Sequence, residues 1–414
     1  MNMAEIARLQ PEKGPKVAKN MRFRLAGLLL GQLVNEARLV VRCKNDGPVL
    51  TFGKVGQQPF TMFIDQPATL WEILRDPDPG LGDTYMDGRW EMAEGDIGAF
   101  VSMLARGRQK LFEGPTGKIF TMLLNSRPDD YDHSPEASYG QVQHHYDIGN
   151  GLYKLFLDEG MNYSCAFFET SQQSLRDAQL NKIETTIKRL DIKPGMKVLD
   201  IGCGWGETSR VIAREADADV SGVTLAKNQL AIAKDQAKYM KNLPQYFLQD
   251  YREHATEHES FYDRIVSIGM FEHVGDKNYG EYFKAVFDQL KPGGKALIHS
   301  IVRSGKPSTA ELSSPWLDKY IFPGGCLCEV EDMVREGEQQ GLKLAYEPYI
   351  QESFHYAETL RRWRENFVGN LDKLDSKKYD ERFIRMWIFY FAMCEAMFDG
   401  CGYRVAQVVF EKPS

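Results

Sequence analysis

The chain has 414 residues, 43% hydrophobic and 26% charged, enough for one large or two ordinary globular domains with buried cores. Its formal net charge of −7 excludes a global basic field of the kind that gathers nucleic acid. Seven cysteines, an odd number with no CxxC pair and no His-spaced metal pattern, fit a reducing compartment and no metal site.

In chain order, the apolar run Leu25 to Val34 is broken by Gly31 and Gln32 and is too short to span a membrane. Asn35-Glu36-Ala37-Arg38 makes a poor signal-peptide cleavage site, so a cytoplasmic protein is expected. Arg38 to Cys43 and Pro59 to Ile64 read as strands, and Leu70 to Arg75 and Asp96 to Ala105 carry helical spacing, which together predict a small α+β domain over residues 1–125. Residues 126–140 lack periodicity and are rich in turn formers, as a linker would be.

From residue 141 to 414 the pattern changes. Apolar runs at Lys197 to Ile201, Val220 to Thr224, Tyr246 to Leu248, Arg264 to Ile268 and Lys295 to Ile301 alternate with helical stretches, predicting a parallel α/β sheet. Helices are expected at Glu331 to Gln340, Tyr356 to Leu371 and Lys377 to Phe398, the latter two as a lid or wall, before a last strand, Arg404 to Glu411, returns to the sheet.

The strongest local signal is Val198-Leu199-Asp200-Ile201-Gly202-Cys203-Gly204-Trp205-Gly206, an apolar strand running into closely spaced glycines. Dehydrogenases and purely structural turns also produce such glycines. Here Asp200 precedes them, an arrangement of S-adenosylmethionine enzymes, placed to hold the cofactor's amino-acid moiety. The next strand ends in Gly222-Val223-Thr224, with Thr224 and Gln229 as polar candidates where a nicotinamide site would place an acid. A third ends in Gln249-Asp250-Tyr251, offering an acid for the adenine amino group and a ring to stack.

With these motifs, the chain resembles the cyclopropane-fatty-acyl-phospholipid synthase family, related to the mycolic acid cyclopropane synthases. The resemblance runs in order through His145-Tyr146-Asp147, Asn162-Tyr163-Ser164-Cys165-Ala166, the glycine loop with Gly202 and Gly204, Gln249-Asp250-Tyr251-Arg252, Gly269-Met270-Phe271-Glu272-His273-Val274-Gly275, Leu297-Ile298-His299-Ser300-Ile301, Lys319-Tyr320-Ile321-Phe322-Pro323 and Tyr356 with Trp363. A looser match covers Leu81-Gly82-Asp83-Thr84-Tyr85-Met86-Asp87-Gly88-Arg89-Trp90.

The resemblance implies a Rossmann-like class I methyltransferase fold with a smaller N-terminal α+β domain for lipid docking and dimerisation, and a C-terminal helical region for the acyl chain. It implies S-adenosylmethionine as methyl donor, held also by Tyr163 and Ser164, and a bound bicarbonate as base, cradled by Cys165, Glu272, His299, Ile301 through its backbone, and Tyr356. The substrate would be an unsaturated phospholipid met at a bilayer, the enzyme a peripheral homodimer on the inner face of the membrane.

Bland alternatives stand beside these roles. Cys165 is also a typical small buried filler, His299 sits in an apolar run where a core histidine is the default, and Tyr356 alone says little. His144, His145 and His273 show no ligand spacing and read as structural. Arg361, Arg362, Arg364, Arg382 and Arg385 lie near Trp363 and Trp387 and suit either anionic headgroups or a solvated helix face. The functional alternatives are an acyl-lipid methyltransferase giving a branched or methylated unsaturated product, and a non-catalytic lipid-binding protein.

Overall fold

The computed structural model describes residues 30–31, 33–34, 36–44, 49–53, 56–113, 149–303, 314–323, 325 and 327–414. The expected linker at 126–140, most of the early apolar run, His144 and His145 lie outside the described residues.

The N-terminal unit is built on four strands, β1 (Arg38–Cys43), β2 (Val49–Phe52), β3 (Pro59–Ile64) and β4 (Trp90–Glu94), in the order β2-β1-β3-β4. β1 and β3 run parallel and the other pairs antiparallel. Alternation sets the inner face: Phe60, Met62 and Ile64 of β3 are buried while the residues between them are not. Helices α1 (Pro67–Arg75), α2 (Pro77–Met86) and α3 (Ile97–Glu113) complete the unit. The helices expected at Leu70 to Arg75 and Asp96 to Ala105 fall on α1 and α3. β2, β4 and α2 carry no clear pattern: β2 has four residues, and α2 (PDPGLGDTYM) holds two prolines and two glycines.

The second sheet has eight strands: β5 (Lys197–Ile201), β6 (Asp219–Thr224), β7 (Gln245–Leu248), β8 (Tyr262–Ile268), β9 (Leu290–Arg303), β10 (Lys343–Leu344), β11 (Tyr349–Gln351) and β12 (Tyr403–Glu411). The order is β7-β6-β5-β8-β9-β12-β10, with β11 also on β12. β5 to β9 pair in parallel, and β12 returns antiparallel beside β9. The parallel sheet and the returning last strand are thus as expected. Helices α4 (Asn150–Phe156), α5 (Leu175–Leu190), α6 (Glu207–Glu215), α7 (Lys227–Ala237), α8 (Tyr251–Glu257), α9 (Tyr279–Gln289), α10 (Pro315–Tyr320), α11 (Val330–Gln339), α12 (Ser353–Gly369) and α13 (Glu381–Gly400) connect or cover the strands.

Strand order reverses at β5, with β6 on one side and β8 on the other. In open α/β sheets that reversal leaves a crevice beyond the strands' carboxyl ends.

The largest core cluster runs without a break from Phe60, Met62, Trp90 and Phe100 of the N-terminal unit into Trp363, Trp387, Phe389 and Phe391 of α12 and α13. A Cβ at Gly82 would collide with Trp316 and Phe389, so α2 packs there at backbone contact. Arg364 of α12, almost fully buried, donates to Asp96 before α3 and to Glu395 of α13. These contacts fix the two C-terminal helices as a wall between the sheets. Among the described residues no helix is long and apolar enough to cross a membrane.

Candidate active site

The loop after β5 turns through three glycines with positive φ, Gly202, Gly204 and Gly206. A Cβ at Gly206 would meet the Tyr246 hydroxyl at 2.6 Å and Ala233 at 2.8 Å, so that glycine serves packing. A Cβ at Gly204 would meet nothing within 4 Å: it faces open space. That space is a cleft of about 780 Å³, counting volume open to solvent, lined by Gly202, Gly204, Thr224, Gln229, Asp250, Tyr251 and His273 among others. Six of the nine expected cofactor residues thus converge on one crevice at the switch point, while Tyr163, Ser164 and Asp200 are not among its lining.

Each has a local anchor. Thr224 ends β6 and its hydroxyl accepts the Ala226 N–H, while Gln229 is buried in the first turn of α7. Asp250 caps α8 by accepting the Arg252 N–H, and its two oxygens also take the Arg252 guanidinium at 2.8 and 2.9 Å. Three donors leave one of the carboxylate's four acceptor sites for an adenine amino group. Burial pushes the Tyr251 hydroxyl well up, so it remains protonated beside the cleft.

Asp200, 2% exposed, accepts the Ser209 hydroxyl of α6 at 2.7 Å through one oxygen. Burial raises it to about 6. It thus braces the loop against α6, with its charge beneath the cofactor cleft.

The second group of residues lies near the ends of β8 and β9. Glu272, in the turn after β8, accepts the Ile301 backbone N–H at 2.7 Å through Oε1. Among the described residues its buried Oε2 has no hydrogen-bond partner, and burial raises the carboxyl to about 6. The Ile301 amide is therefore engaged by Glu272, and His299 is oriented by Gln407 of β12 at 3.4 Å, not by Glu272. Burial holds His299 neutral, with its pKa down at about 3. If the Gln407 amide donates to Nδ1, the neutral imidazole carries its proton on Nε2.

Cys165 is buried; its Sγ lies 3.3 Å from the Ala166 carbonyl and 3.5 Å from Gln351 Oε1, and burial pushes the thiol far up. It is a neutral thiol, as a site exposed to an alkylating cofactor requires. Tyr356, half-buried on α12, packs its ring 4.4 Å from Phe398. Tyr163 places its hydroxyl 2.7 Å from that of Tyr390, and its ring packs on Tyr153 and Trp363. Ser164 accepts from Lys182 at 2.7 Å.

Sequence reasoning missed Lys182 and Gln179 of α5, both fully buried. The signal existed: the buried stripe of α5 runs Leu175, Ala178, Gln179, Lys182, Ile183, Thr186, Leu190, so three polar residues, Gln179, Lys182 and Thr186, interrupt an apolar face. Gln351, Thr359 and Gln407, which tie down Cys165, Ala166 and His299, were likewise unmarked.

The five arginines named above are spent within the fold. Arg361 and Arg362 pair with Glu358, Arg382 with Asp87, Arg385 with Glu381, and Arg364 is buried. Arg364 joins the two units. Among the described residues no group of His, Cys, Asp and Glu could hold a metal ion.

Residues 133–408 match the family described as mycolic acid cyclopropane synthetase. Cyclopropane-fatty-acyl-phospholipid synthase of Escherichia coli (strain K12) is 34% identical over 366 residues, 86% of this chain and 89% of that protein. Tuberculostearic acid methyltransferase UfaA1 of Mycobacterium tuberculosis is 33% identical over 350 residues, 82% of this chain and 80% of its own. Among solved structures, mycolic acid cyclopropane synthase CmaA1 complexed with SAH and CTAB superposes with a TM-score of 0.61 at 29% identity, over 66% of this chain and 98% of that one.

Proposed function

The chain belongs to the mycolic acid cyclopropane synthetase family and is an S-adenosylmethionine-dependent methyltransferase, and from that premise we propose that it converts the cis double bond of an unsaturated phospholipid acyl chain into a cyclopropane, with bicarbonate as the base. The observation that carries the reading is Glu272 Oε2: a buried carboxylate oxygen without a hydrogen-bond partner among the described residues, anchored through its other oxygen and next in space to the end of the strand bearing His299.

The residues suit both groups. The open space at Gly204 admits the cofactor's backbone-close approach, and one acceptor site on Asp250 remains for its adenine. For the base, Glu272 accepts a hydroxyl hydrogen while neutral His299 donates one from Nε2. A carboxyl already raised to about 6 shares a proton with a neighbouring oxyanion instead of repelling it.

Bound S-adenosylmethionine would supply the methyl group for one alkene carbon, with S-adenosylhomocysteine as leaving group, and a bicarbonate held between Glu272 and His299 would supply the acceptor for the proton that the new methyl gives up on ring closure. This chain's residues position and dry the site. Cys165 and His299 are held neutral by burial and so resist alkylation. The rings of Tyr163, Trp363 and Tyr390 form an apolar wall next to Ser164, where faces can steady a cation without attacking it. The same reading has a peripheral homodimer working on the inner face of a membrane, where its lipid lies.

A second reading is favoured by the 33% identity to tuberculostearic acid methyltransferase UfaA1: the same first step, ending in a branched chain. A trideuteromethyl cofactor with NMR of the product separates the two. A cyclopropane methylene that keeps two deuterons, the third having left with the base, supports the proposal; a trideuteromethyl group on a chain that keeps a double bond, or an exomethylene carbon with two deuterons, supports the branch and refutes ring closure.

A further inference from the structure

Lys182 is fully buried, yet it lies on the apolar face of α5 and no carboxylate of the described residues forms an ion pair with it. Its ammonium donates to two neutral oxygens, Ser164 Oγ at 2.7 Å and Gln179 Oε1 at 2.6 Å. Gln179 in turn donates to the Ser164 carbonyl at 2.9 Å. Side chain and backbone of Ser164 are thus latched to α5, one residue before Cys165.

A buried ammonium hydrogen-bonded only to neutral oxygens carries a desolvation cost that the carboxylates facing it offset only in part. The titratable groups facing it are Asp158, Cys165, Asp200, Glu207 and His299. Asp158 and Glu207 are already paired with Arg176, and Glu207 with Arg210 as well. Asp200 is hydrogen-bonded by Ser209 and raised to about 6, and Cys165 and His299 are neutral. Of these carboxylates only Asp200 lacks an ion pair among the described residues, so the field of Lys182 is partly compensated and still reaches His299.

We propose that Lys182 is a positioning residue that latches the Ser164–Cys165 segment to α5 and supplies the positive potential retaining the bicarbonate base, an assignment that rests on the bicarbonate reading above. A lysine that served packing alone would be replaced by methionine without loss.

The test compares wild type with Lys182→Met, which removes charge and donors, and Lys182→Gln, which keeps a donor without charge. Purified enzymes are assayed on vesicles of monounsaturated phospholipid at saturating S-adenosylmethionine, with bicarbonate added back to carbonate-free buffer. Both variants should need at least about tenfold more bicarbonate for half-maximal turnover, the loss expected when a charge contact goes, while Lys182→Met melts no lower than wild type because a buried charge has been removed. Unchanged bicarbonate need in folded variants overturns the proposal, as does full recovery in Lys182→Gln. A wild type indifferent to bicarbonate overturns the base reading and this one together, whereas dependence in wild type with equal dependence in the variants sinks only the role of Lys182. Should neither variant fold, the wild-type requirement is followed from pH 7 to 9: it should rise as Lys182 discharges above about 8, and a flat profile refutes the assignment.

Discussion

Glu272→Gln separates the chemistry of the carboxylate from its architecture. The amide is isosteric, and its carbonyl oxygen can keep the 2.7 Å hydrogen bond from Ile301, so the turn after β8 stays anchored. What changes is Oε2, an acceptor without a protein partner, which becomes an NH2 donor. Losing a hydrogen bond between charged groups is worth about 1.5–3 kcal/mol, so turnover should fall roughly 10- to 150-fold. Stability should move the other way. Burial raises the Glu272 carboxyl from 4.5 to about 6, so its folded pKa lies above the unfolded one. The wild type then enjoys this group's full contribution only below pH 4.5 and loses it as pH rises through about 6. At pH 7 the ionised form costs about 2 kcal/mol, which the glutamine variant avoids. The variant should therefore be as stable as wild type or more so at pH 7, with the difference closing between pH 6 and 4.5. Labelled-methyl transfer to vesicles, calorimetry with S-adenosylmethionine and thermal melts at several pH values measure the three quantities. Full turnover in the variant, or loss of cofactor affinity in step with turnover, refutes the role given to Glu272.

His299→Gln should leave the dissociation constant for S-adenosylmethionine within about threefold while lowering turnover by roughly two orders of magnitude, the usual scale for a lost acid–base partner; calorimetry beside the vesicle assay checks it, and parallel losses refute it. Gly204→Val fills the open space at the loop and forces a branched residue to the positive φ of 55° seen there, so cofactor affinity should fall by more than about a hundredfold; near-normal calorimetric binding would put the cofactor elsewhere. Arg364→Ala breaks the buried bridge from Asp96 to Glu395 and should cost about 3 kcal/mol in denaturant unfolding; a change below about 1 kcal/mol would show that the bridge does not hold the two units together.

Legibility followed periodicity and turn chemistry. β5 was readable to the residue because an apolar run lies between the positive-φ turns at Gly195 and Gly202. The central parallel strands carry short apolar runs, such as Val198-Leu199 in β5 and Ile265-Val266 in β8, as strands covered on both faces do. β2 and β4, short and only partly buried, offer no such run. At the site, residue types were legible and their partners were not. Nothing local tells that the Ile301 amide is taken by Glu272, that Gln407, 108 residues on, orients His299, or that Ser209 takes up Asp200. These pairings arise from strand order: β12 inserts beside β9 and sets Gln407 opposite His299. Arg364 looked like a surface charge because its neighbours are charged, yet the wall formed by α12 and α13 turns it inward.

The most direct test of ring formation is proton NMR with mass spectrometry of acyl chains released after the purified protein has acted on monounsaturated phospholipid vesicles with S-adenosylmethionine and bicarbonate. A gain of one CH2 together with high-field cyclopropyl protons is the predicted result. The same gain with vinylic or exomethylene protons, or no gain from a protein that binds the cofactor, would contradict it.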